Sequence, residues 1–248
     1  MDQPVLGIRL DLVNRAAALA QARMFLNQPG QYRIYTPNPE MIVLAQQDEQ
    51  FREVLNRGDL NLCDGVGLYW AARFQGVRGL QRITGTDFML DLCRLAAEQG
   101  RGIYLLGSGS REVVSRTAGR LQQMFANLRM VGFNPGPAVD AKGEVAEAEA
   151  RILINEIKQK QPEILLVAFG MGKQEKWIDR NLGALPSVKI AMGVGGAFDY
   201  LGGRVGRAPG LLRKLGLEWL YRLIREPWRA RRIFNATARF VYLYIKRS

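Results

Sequence analysis

The chain contains no histidine and only two cysteines, Cys63 and Cys93, in 248 residues. Without histidine there is no Ser-His or Cys-His nucleophile, no imidazole metal site and no side chain that normally titrates near neutral pH. Two cysteines are too few for a secreted disulfide framework or a cysteine-based zinc site, so the composition favours a reducing, cytoplasmic setting. Any catalysis must therefore use carboxylates, lysine, tyrosine or backbone groups.

Long apolar segments are also missing at the start of the chain. The first residues, MDQPVLGIRLDL, have neither a basic stretch nor a long apolar core, so we expect no signal peptide or membrane span there. With 48% hydrophobic and 23% charged residues, the composition is that of a globular protein.

Positive charge is concentrated near the C-terminus. From Arg204 to Ser248 there are twelve Lys or Arg residues against Glu218 and Glu226, which gives this stretch +10 of the total charge of +12. This shift in composition predicts a core domain at 1–203 and a basic amphipathic helical appendage at 204–248. Such a patch indicates a partner rich in phosphate, either nucleic acid or an anionic membrane surface.

Strand-like and helix-like segments alternate between these ends. This alternation predicts an α/β fold, a Rossmann-like parallel sheet with helices on both faces. A loop rich in Gly and Arg is expected after the last strand. The predicted strands are 32–35, 60–63, 102–106, 129–133, 163–170 and 188–195, and the predicted helices are 40–57, 67–76, 86–99, 111–125, 144–159 and 174–181.

Ligands of open α/β sheets bind beyond the carboxyl ends of the strands, and several of those ends carry polar residues or glycines. Glycine turns bring backbone N–H groups close to an anion and suit a diphosphate, although each turn could equally be a tight connection only. Glu112 stands where a dinucleotide fingerprint needs glycine, and there is no Walker A or Tyr-x-x-x-Lys pattern, which disfavours NAD-dependent and P-loop enzymes. The marked ends are Thr36 and Asn38, Asp64-Gly65, 107–110, 170–174 and 193–199.

Asp64 stands alone between a strand and two glycines in NLCDGVGL. An acid in this position is often a turn former, but at a marked strand end in a chain without histidine it is the leading candidate for a general base. Arg82, in QRITGTDF, is either a surface charge or a fork for a phosphate oxygen. Gln174 could simply start a helix, and Asp87 fits a structural first-turn acid.

Seven segments together carry a resemblance over essentially the whole chain, namely TPNPEMIVLAQQ, NLCDGVGL, RITGTDFML, IYLLGSG, GMGKQEKWI, MGVGGAFDYLGGRVGRAP and GLEWLYRLIREPWRARR. The chain resembles the WecG/TagA/CpsF family of bacterial glycosyltransferases. The resemblance implies an inverting, metal-independent transfer of N-acetylmannosamine from a UDP donor to the C4 hydroxyl of N-acetylglucosamine on undecaprenyl diphosphate, in wall teichoic acid, common-antigen or capsule synthesis. Some members transfer glucose or uronic acids to other lipid-linked acceptors, so the donor stays open.

The same resemblance assigns roles to particular positions. Asp64 matches the family's base and Arg82 its contact with the donor diphosphate. Asp199 matches a position on the nucleotide side, and no metal or cofactor is expected. Three further positions, Thr36, Asn38 and Gln174, match residues that orient the sugars. Three glycines, Gly107, Gly109 and Gly195, complete the pocket.

The appendage interleaves arginines with tryptophan, tyrosine and aliphatic residues. This mixture suits the inner face of the plasma membrane better than a polynucleotide, although a nucleic-acid-binding protein remains the rival interpretation. We expect helices at 211–225 and 228–246 with a bend at Pro227. Arginines matching Arg222, Arg229 and Arg232 are implied to meet the diphosphate of the lipid carrier. The apolar residues could instead dock on the core or on another subunit, which would make a homo-oligomer.

Overall fold

The computed structural model describes residues 2–227 and 230–247. The strands are β1 (Asp2–Val5), β2 (Ile8–Asp11), β3 (Tyr32–Tyr35), β4 (Leu60–Asn61), β5 (Gly102–Gly107), β6 (Arg129–Asn134), β7 (Ile164–Ala168) and β8 (Ile190–Gly193). The first two form an antiparallel hairpin, and the other six form a sheet in the order β4-β3-β8-β7-β5-β6. Every pairing in this sheet is parallel, as the sequence predicted.

The helices cover both faces of the six-stranded sheet, which confirms the predicted fold class. None of those in the described part of the chain combines the length and apolar character that crossing a bilayer requires. They are α1 (Arg15–Asn27), α2 (Pro39–Ala45), α3 (Glu49–Asn56), α4 (Val66–Phe74), α5 (Gly85–Gln99), α6 (Arg111–Met124), α7 (Glu147–Lys160), α8 (Lys173–Asn181), α9 (Ala197–Leu201), α10 (Gly210–Lys214), α11 (Glu218–Arg225) and α12 (Ala230–Arg247).

Alternate residues of the central strands of the sheet enter two different apolar cores, because successive side chains of a strand point to opposite faces. Ile34, Leu105 and Leu166 are buried with residues of α1, α5, α6 and α9. Tyr35, Leu106 and Val167 are buried on the other face with residues of the hairpin and of α2, α3, α4, α7 and α8. The central strands are therefore apolar on both sides, which is typical of a parallel sheet.

Several element bounds differ from the prediction. The helix expected at 40–57 is divided into α2 and α3, because the Asp48 side chain caps the second helix by accepting a 2.9 Å hydrogen bond from Phe51 N. The helix expected at 211–225 is divided into α10 and α11, where Gly216 has a φ of +75°. The loop expected after β8 contains α9. The hairpin and α1 were not predicted.

The last helix, α12, packs against α2. Phe240 is only 4% exposed and belongs to the core on that face of the sheet. The Tyr244 hydroxyl donates a 2.9 Å hydrogen bond to the carbonyl of Ala71 on α4. The end of the chain is therefore docked on the α/β core, as one of the two readings of its apolar residues expected, while the domain boundary at 203/204 stays a prediction.

We expect Phe240→Ala to release α12 from the core. Truncating a buried aromatic ring costs about 3–5 kcal/mol, a large share of what one docked helix can contribute. Limited trypsinolysis should then cleave within residues 230–247 faster than in the wild type. Phe234→Ala is the matched control because Phe234, on the same helix, is 73% exposed. Equal cleavage of the Phe240→Ala variant and the wild type would contradict the docking.

Candidate active site

A pocket of about 490 Å³ opens at the carboxyl edge of the sheet. The chain leaves β5 for α6 on one face and leaves β7 for α8 on the other, and such a divergence opens a crevice between neighbouring strands. The volume lies within the range of small-molecule sites. Four of the residues expected from the sequence line this pocket, namely Asn38, Gly109, Gly195 and Asp199.

Two cationic side chains in the pocket wall were not singled out from the sequence. Arg204 Nη1 lies 3.6 Å from Asp199 Oδ1, and Lys173 Nζ donates a 2.5 Å hydrogen bond to the carbonyl of Val139. Both residues belong to quoted segments, GMGKQEKWI and the Gly-rich MGVGGAFDYLGGRVGRAP, where they stand among many other charged residues. Their charges suit an anionic ligand such as a phosphate.

The turn after β5 forms one wall of the pocket. At Gly107, which has a φ of +114°, a Cβ would lie 2.5 Å from the Ala168 carbonyl oxygen, so only glycine fits. The N–H groups of Ser108 and Gly109 donate to the carbonyls of Ala168 and Pro135, at 2.9 and 3.0 Å. These two N–H groups are thus already hydrogen-bonded within the protein. The turn therefore shapes the pocket wall, and contacts of Gly107 and Gly109 with a substrate stay predictions.

Asp64 follows β4 and is held by backbone on two sides. Its N–H donates to the carbonyl of Pro37 at 2.9 Å, and its Oδ2 accepts from Gly85 N at 3.0 Å. A Cβ on Gly85 would lie 2.9 Å from Thr36 Oγ1, so the close approach of α5 to β3 requires glycine there. Thr36 and Asp64 therefore both lie against the first residue of α5.

Burial raises the pKa of Asp64 to about 6. The hydrogen bond from Gly85 and the positive charge of Arg82 oppose this rise, whereas the negative charge of Glu218 adds to it. A carboxylate with this pKa is ionised at neutral pH and is still basic enough to accept a proton.

Residues 207–218 of the C-terminal segment contact the residues around Asp64. Arg82 Nη2 donates a 2.7 Å hydrogen bond to the carbonyl of Arg213. Arg207 Nη2 lies 2.7 Å from Asp87 Oδ1, and Arg207 Nε lies 3.3 Å from Glu218 Oε1. Asp87 thus has the structural role expected for it. The part played by Arg207 and Glu218 was missed, because the pairing of Arg207 with Asp87 spans 120 positions and leaves no local pattern.

The acid and the pocket adjoin each other through Asn38. A Cβ on Gly65, next to Asp64, would lie 3.7 Å from Asn38 Cβ, and Asn38 itself lines the pocket. Asn38 also caps α2, since its side chain accepts a 3.0 Å hydrogen bond from Met41 N. The three arginines of the appendage that were expected to meet the carrier's diphosphate cannot be placed in this arrangement. Arg229 and the side chains of Arg222 and Arg232 lie outside the described residues.

Gln174 is a buried residue that contacts Gly195 in the pocket wall. It is 4% exposed, and its Oε1 accepts a 3.1 Å hydrogen bond from Gly195 N. Its Nε2 donates to Oε1 of Glu175 at 2.7 Å, and Oε2 of Glu175 accepts from Gly172 N at 2.8 Å. Burial raises the pKa of Glu175 to about 7. This buried pair, which joins the turn after β7 to the loop after β8, could have been suspected from the adjacent Gln-Glu in GMGKQEKWI.

Residues 3–248 match the model of the glycosyl transferase WecG/TagA/CpsF family. The chain belongs to this family. It is similar to the N-acetylglucosaminyldiphosphoundecaprenol N-acetyl-beta-D-mannosaminyltransferase of Bacillus subtilis, with 30% identity over 202 residues, 82% of this chain and 75% of the relative. It is also 30% identical over 211 residues to the protein of the same name from Bacillus spizizenii, covering 85% of this chain and 78% of that relative.

Several described charged groups of this glycosyltransferase form ion pairs, such as Arg204 with Asp199 and Arg207 with Asp87. Within residues 2–227 and 230–247, no group of three or more His, Cys, Asp or Glu side chains is placed to hold a metal ion. Lys173 and Arg204 line the pocket, and the positive charge of Arg82 acts on Asp64. The metal independence of the transferase stays a prediction.

We expect Glu175→Gln to destabilise the glycosyltransferase by about 1–3 kcal/mol, because an amide has one acceptor oxygen for two donors and leaves one of them unpaired. The raised pKa makes the folded state bind the extra proton, so the wild type should lose stability as pH rises from about 5 to 7. The variant should lack that part of the loss. Urea denaturation at several pH values measures both effects.

Glu149→Gln is the control, since Glu149 is exposed on α7. A Glu175→Gln variant with wild-type stability and an unchanged pH dependence would show that Glu175 does not hold the two loops together.

Proposed function

We propose that this glycosyltransferase moves N-acetylmannosamine from its UDP derivative to the C4 hydroxyl of N-acetylglucosamine carried on undecaprenyl diphosphate, with inversion and without a metal. The names of the two Bacillus relatives support this donor sugar and this acceptor. The observation that carries the chemistry is Asp64, a carboxylate of raised pKa beside a pocket at the carboxyl edge of the sheet. The product belongs to the assembly of wall teichoic acid or another surface polysaccharide.

The reaction needs one base and a stabilised leaving group. Asp64 takes the proton of the acceptor hydroxyl while that oxygen forms a bond to the anomeric carbon. The bond from the anomeric carbon to the UDP oxygen breaks on the opposite side, so the configuration inverts. Arg82 offsets the charge that grows on the leaving diphosphate, a task that a metal performs elsewhere. Lys173 and Arg204, in the pocket wall, assist in binding it.

The remaining predicted residues hold the two sugars and the nucleotide. Asn38 and Asp199 line the pocket, and Thr36 lies beside Asp64. Gln174 acts through Gly195, because its amide oxygen is bonded to that residue's N–H. We propose that the acceptor binds on the β4 side of the pocket and the nucleotide on the β5 side.

A lipid-linked acceptor calls for contact with a membrane, and the C-terminal helices suit it. Ile224 on α11 and Tyr242 and Ile245 on α12 are 72%, 61% and 70% exposed. Apolar residues mixed with arginines bind the interface of an anionic bilayer. We propose that these helices lie on the inner face of the plasma membrane, where Arg222, Arg229 and Arg232 meet the carrier's diphosphate.

The family assignment favours catalysis over the nucleic-acid-binding interpretation. Arg207 and Arg213, two of the tail's cations, lie 2.7 and 3.7 Å from Asp87, so part of the tail's charge acts within the fold. Transfer of another UDP-sugar, such as glucose or a uronic acid, is the alternative within the family.

Incubation with a panel of UDP-sugars and a short-chain polyprenyl diphosphate N-acetylglucosamine, with and without EDTA, tests the proposal. We expect a disaccharide product from UDP-N-acetylmannosamine only, formed equally well in EDTA. A product from UDP-glucose or a UDP-uronic acid alone would establish the alternative donor. Loss of activity in EDTA that magnesium or manganese restores would rule out metal independence.

We expect Asp64→Asn to lower kcat at least about 100-fold, the usual effect of losing a general base. UDP affinity and the melting temperature should change little, because the amide oxygen can still accept from Gly85 N. Kinetics with saturating acceptor and calorimetric titration with UDP measure the two. Near-normal turnover of this variant would show that Asp64 only forms the turn.

We expect Glu218→Gln to move the acidic limb of the pH profile to lower pH. The negative charge of Glu218 raises the pKa of Asp64. Since only the deprotonated base is active, kcat/KM of the wild type should rise with pH through about 6. Removing Glu218 lowers that pKa and so shifts the rise downward. The exposed Glu149→Gln is again the control, and an unmoved limb would mean that another group controls it.

A further inference from the structure

Helix α4 exposes a pair of aromatic rings. Trp70 and Phe74 are 52% and 77% exposed, and their ring centroids lie 6.1 Å apart. They are four residues apart and so share one side of the helix. The other side is anchored, since Leu68 and Ala72 are fully buried in the core. Clustered large apolar side chains on the surface of a soluble fold mark an interaction site.

The charged residues close to this pair in the sequence have one sign. Residues 65–86 contain no aspartate or glutamate, and Arg73 and Arg78, which lie within eight positions of Trp70, are exposed. Aromatic rings flanked by arginines match the boundary between lipid tails and anionic headgroups. Ile152 is also an exposed apolar residue, but the charges on its helix do not have one sign, because α7 carries Glu147, Glu149 and Glu156.

Two neighbours connect the pair to the rest of the molecule. The hydrogen bond from the Tyr244 hydroxyl to the carbonyl of Ala71 places the end of α12 beside the middle of α4. The exposed residues Tyr242 and Ile245 flank Tyr244 in sequence. At its other end α4 begins at Val66, two residues after Asp64.

We propose that α4 is a membrane-docking helix that rests on an anionic lipid surface together with α12. Trp70 and Phe74 enter the headgroup region, and Arg73 and Arg78 contact lipid phosphates. Because α4 starts beside Asp64, this docking sets the height of the base above the bilayer and brings it to the sugar of a lipid-linked acceptor. The inference rests on the proposed lipid-linked acceptor. It adds α4, a helix of the α/β core, to the C-terminal helices as a part of the membrane-binding surface.

Vesicle flotation of the full-length protein tests the inference. The vesicles are phosphatidylcholine alone or with phosphatidylglycerol, and the variants are Trp70→Ser/Phe74→Ser and Arg73→Glu/Arg78→Glu. We expect the wild type to bind the anionic vesicles and each double variant to bind them at least about tenfold more weakly, given the strength of such contacts. Met124→Ser/Ile152→Ser is the control, since these residues are 48% and 69% exposed on α6 and α7. It should bind like the wild type.

Activity supplies a second readout. The Trp70→Ser/Phe74→Ser variant should show a raised KM for a long-chain acceptor in vesicles and unchanged kinetics with a water-soluble acceptor, at an unchanged melting temperature. Equal vesicle binding by the variants and the wild type, or no binding by the wild type, would overturn the inference. So would a concentration-dependent dimer that the aromatic variant abolishes without losing vesicle binding. Failure of the proposed function would be distinct, because the water-soluble acceptor would then receive no sugar.

Discussion

The parallel alignment of six strands is the constraint on which the rest of the structure depends. A parallel sheet has to be covered on both faces, because each strand is joined to the next by a crossover that packs against the sheet. The two apolar cores follow from this requirement. All six strands also end at one edge, so the loops that carry Asn38, Asp64, Gly109 and Gly195 come together although they are far apart in the sequence.

Polar contacts between buried or half-buried side chains then fix those loops. Glu175 and Gln174 join the turn after β7 to the loop after β8, and Arg207 joins Asp87 to the segment that covers the β4 side. The same exclusion of water that strengthens these contacts raises the pKa of Asp64. The acid's reactivity and the rigidity of its surroundings therefore have one physical origin, the burial of polar groups at the edge of an apolar sheet.

The sequence sufficed for the features that local patterns determine. Alternating apolar segments predicted the parallel sheet, and the glycines and polar residues after the strands predicted the edge at which the pocket opens. The absence of histidine drew attention to Asp64. Features that depend on distant residues were not predictable in this way. Neither the contact of Gln174 with Gly195, 21 positions away, nor the burial of Phe240 leaves a local signal, and the short alternation of the hairpin is too brief to distinguish from a loop.

The position of β8 in the sheet has a consequence for biosynthesis. β8 lies between β3 and β7, so the sheet consists of two separate halves, β4-β3 and β7-β5-β6, until residues 190–193 are available. A ribosome has by then produced more than three quarters of the 248 residues. Until β8 is synthesised, the edges of β3 and β7 that pair with it have no partner strand. Closure depends on contacts of long sequence separation, which form slowly. The nascent chain is therefore most prone to aggregate just before its central strand emerges, and chaperone protection matters most in that interval.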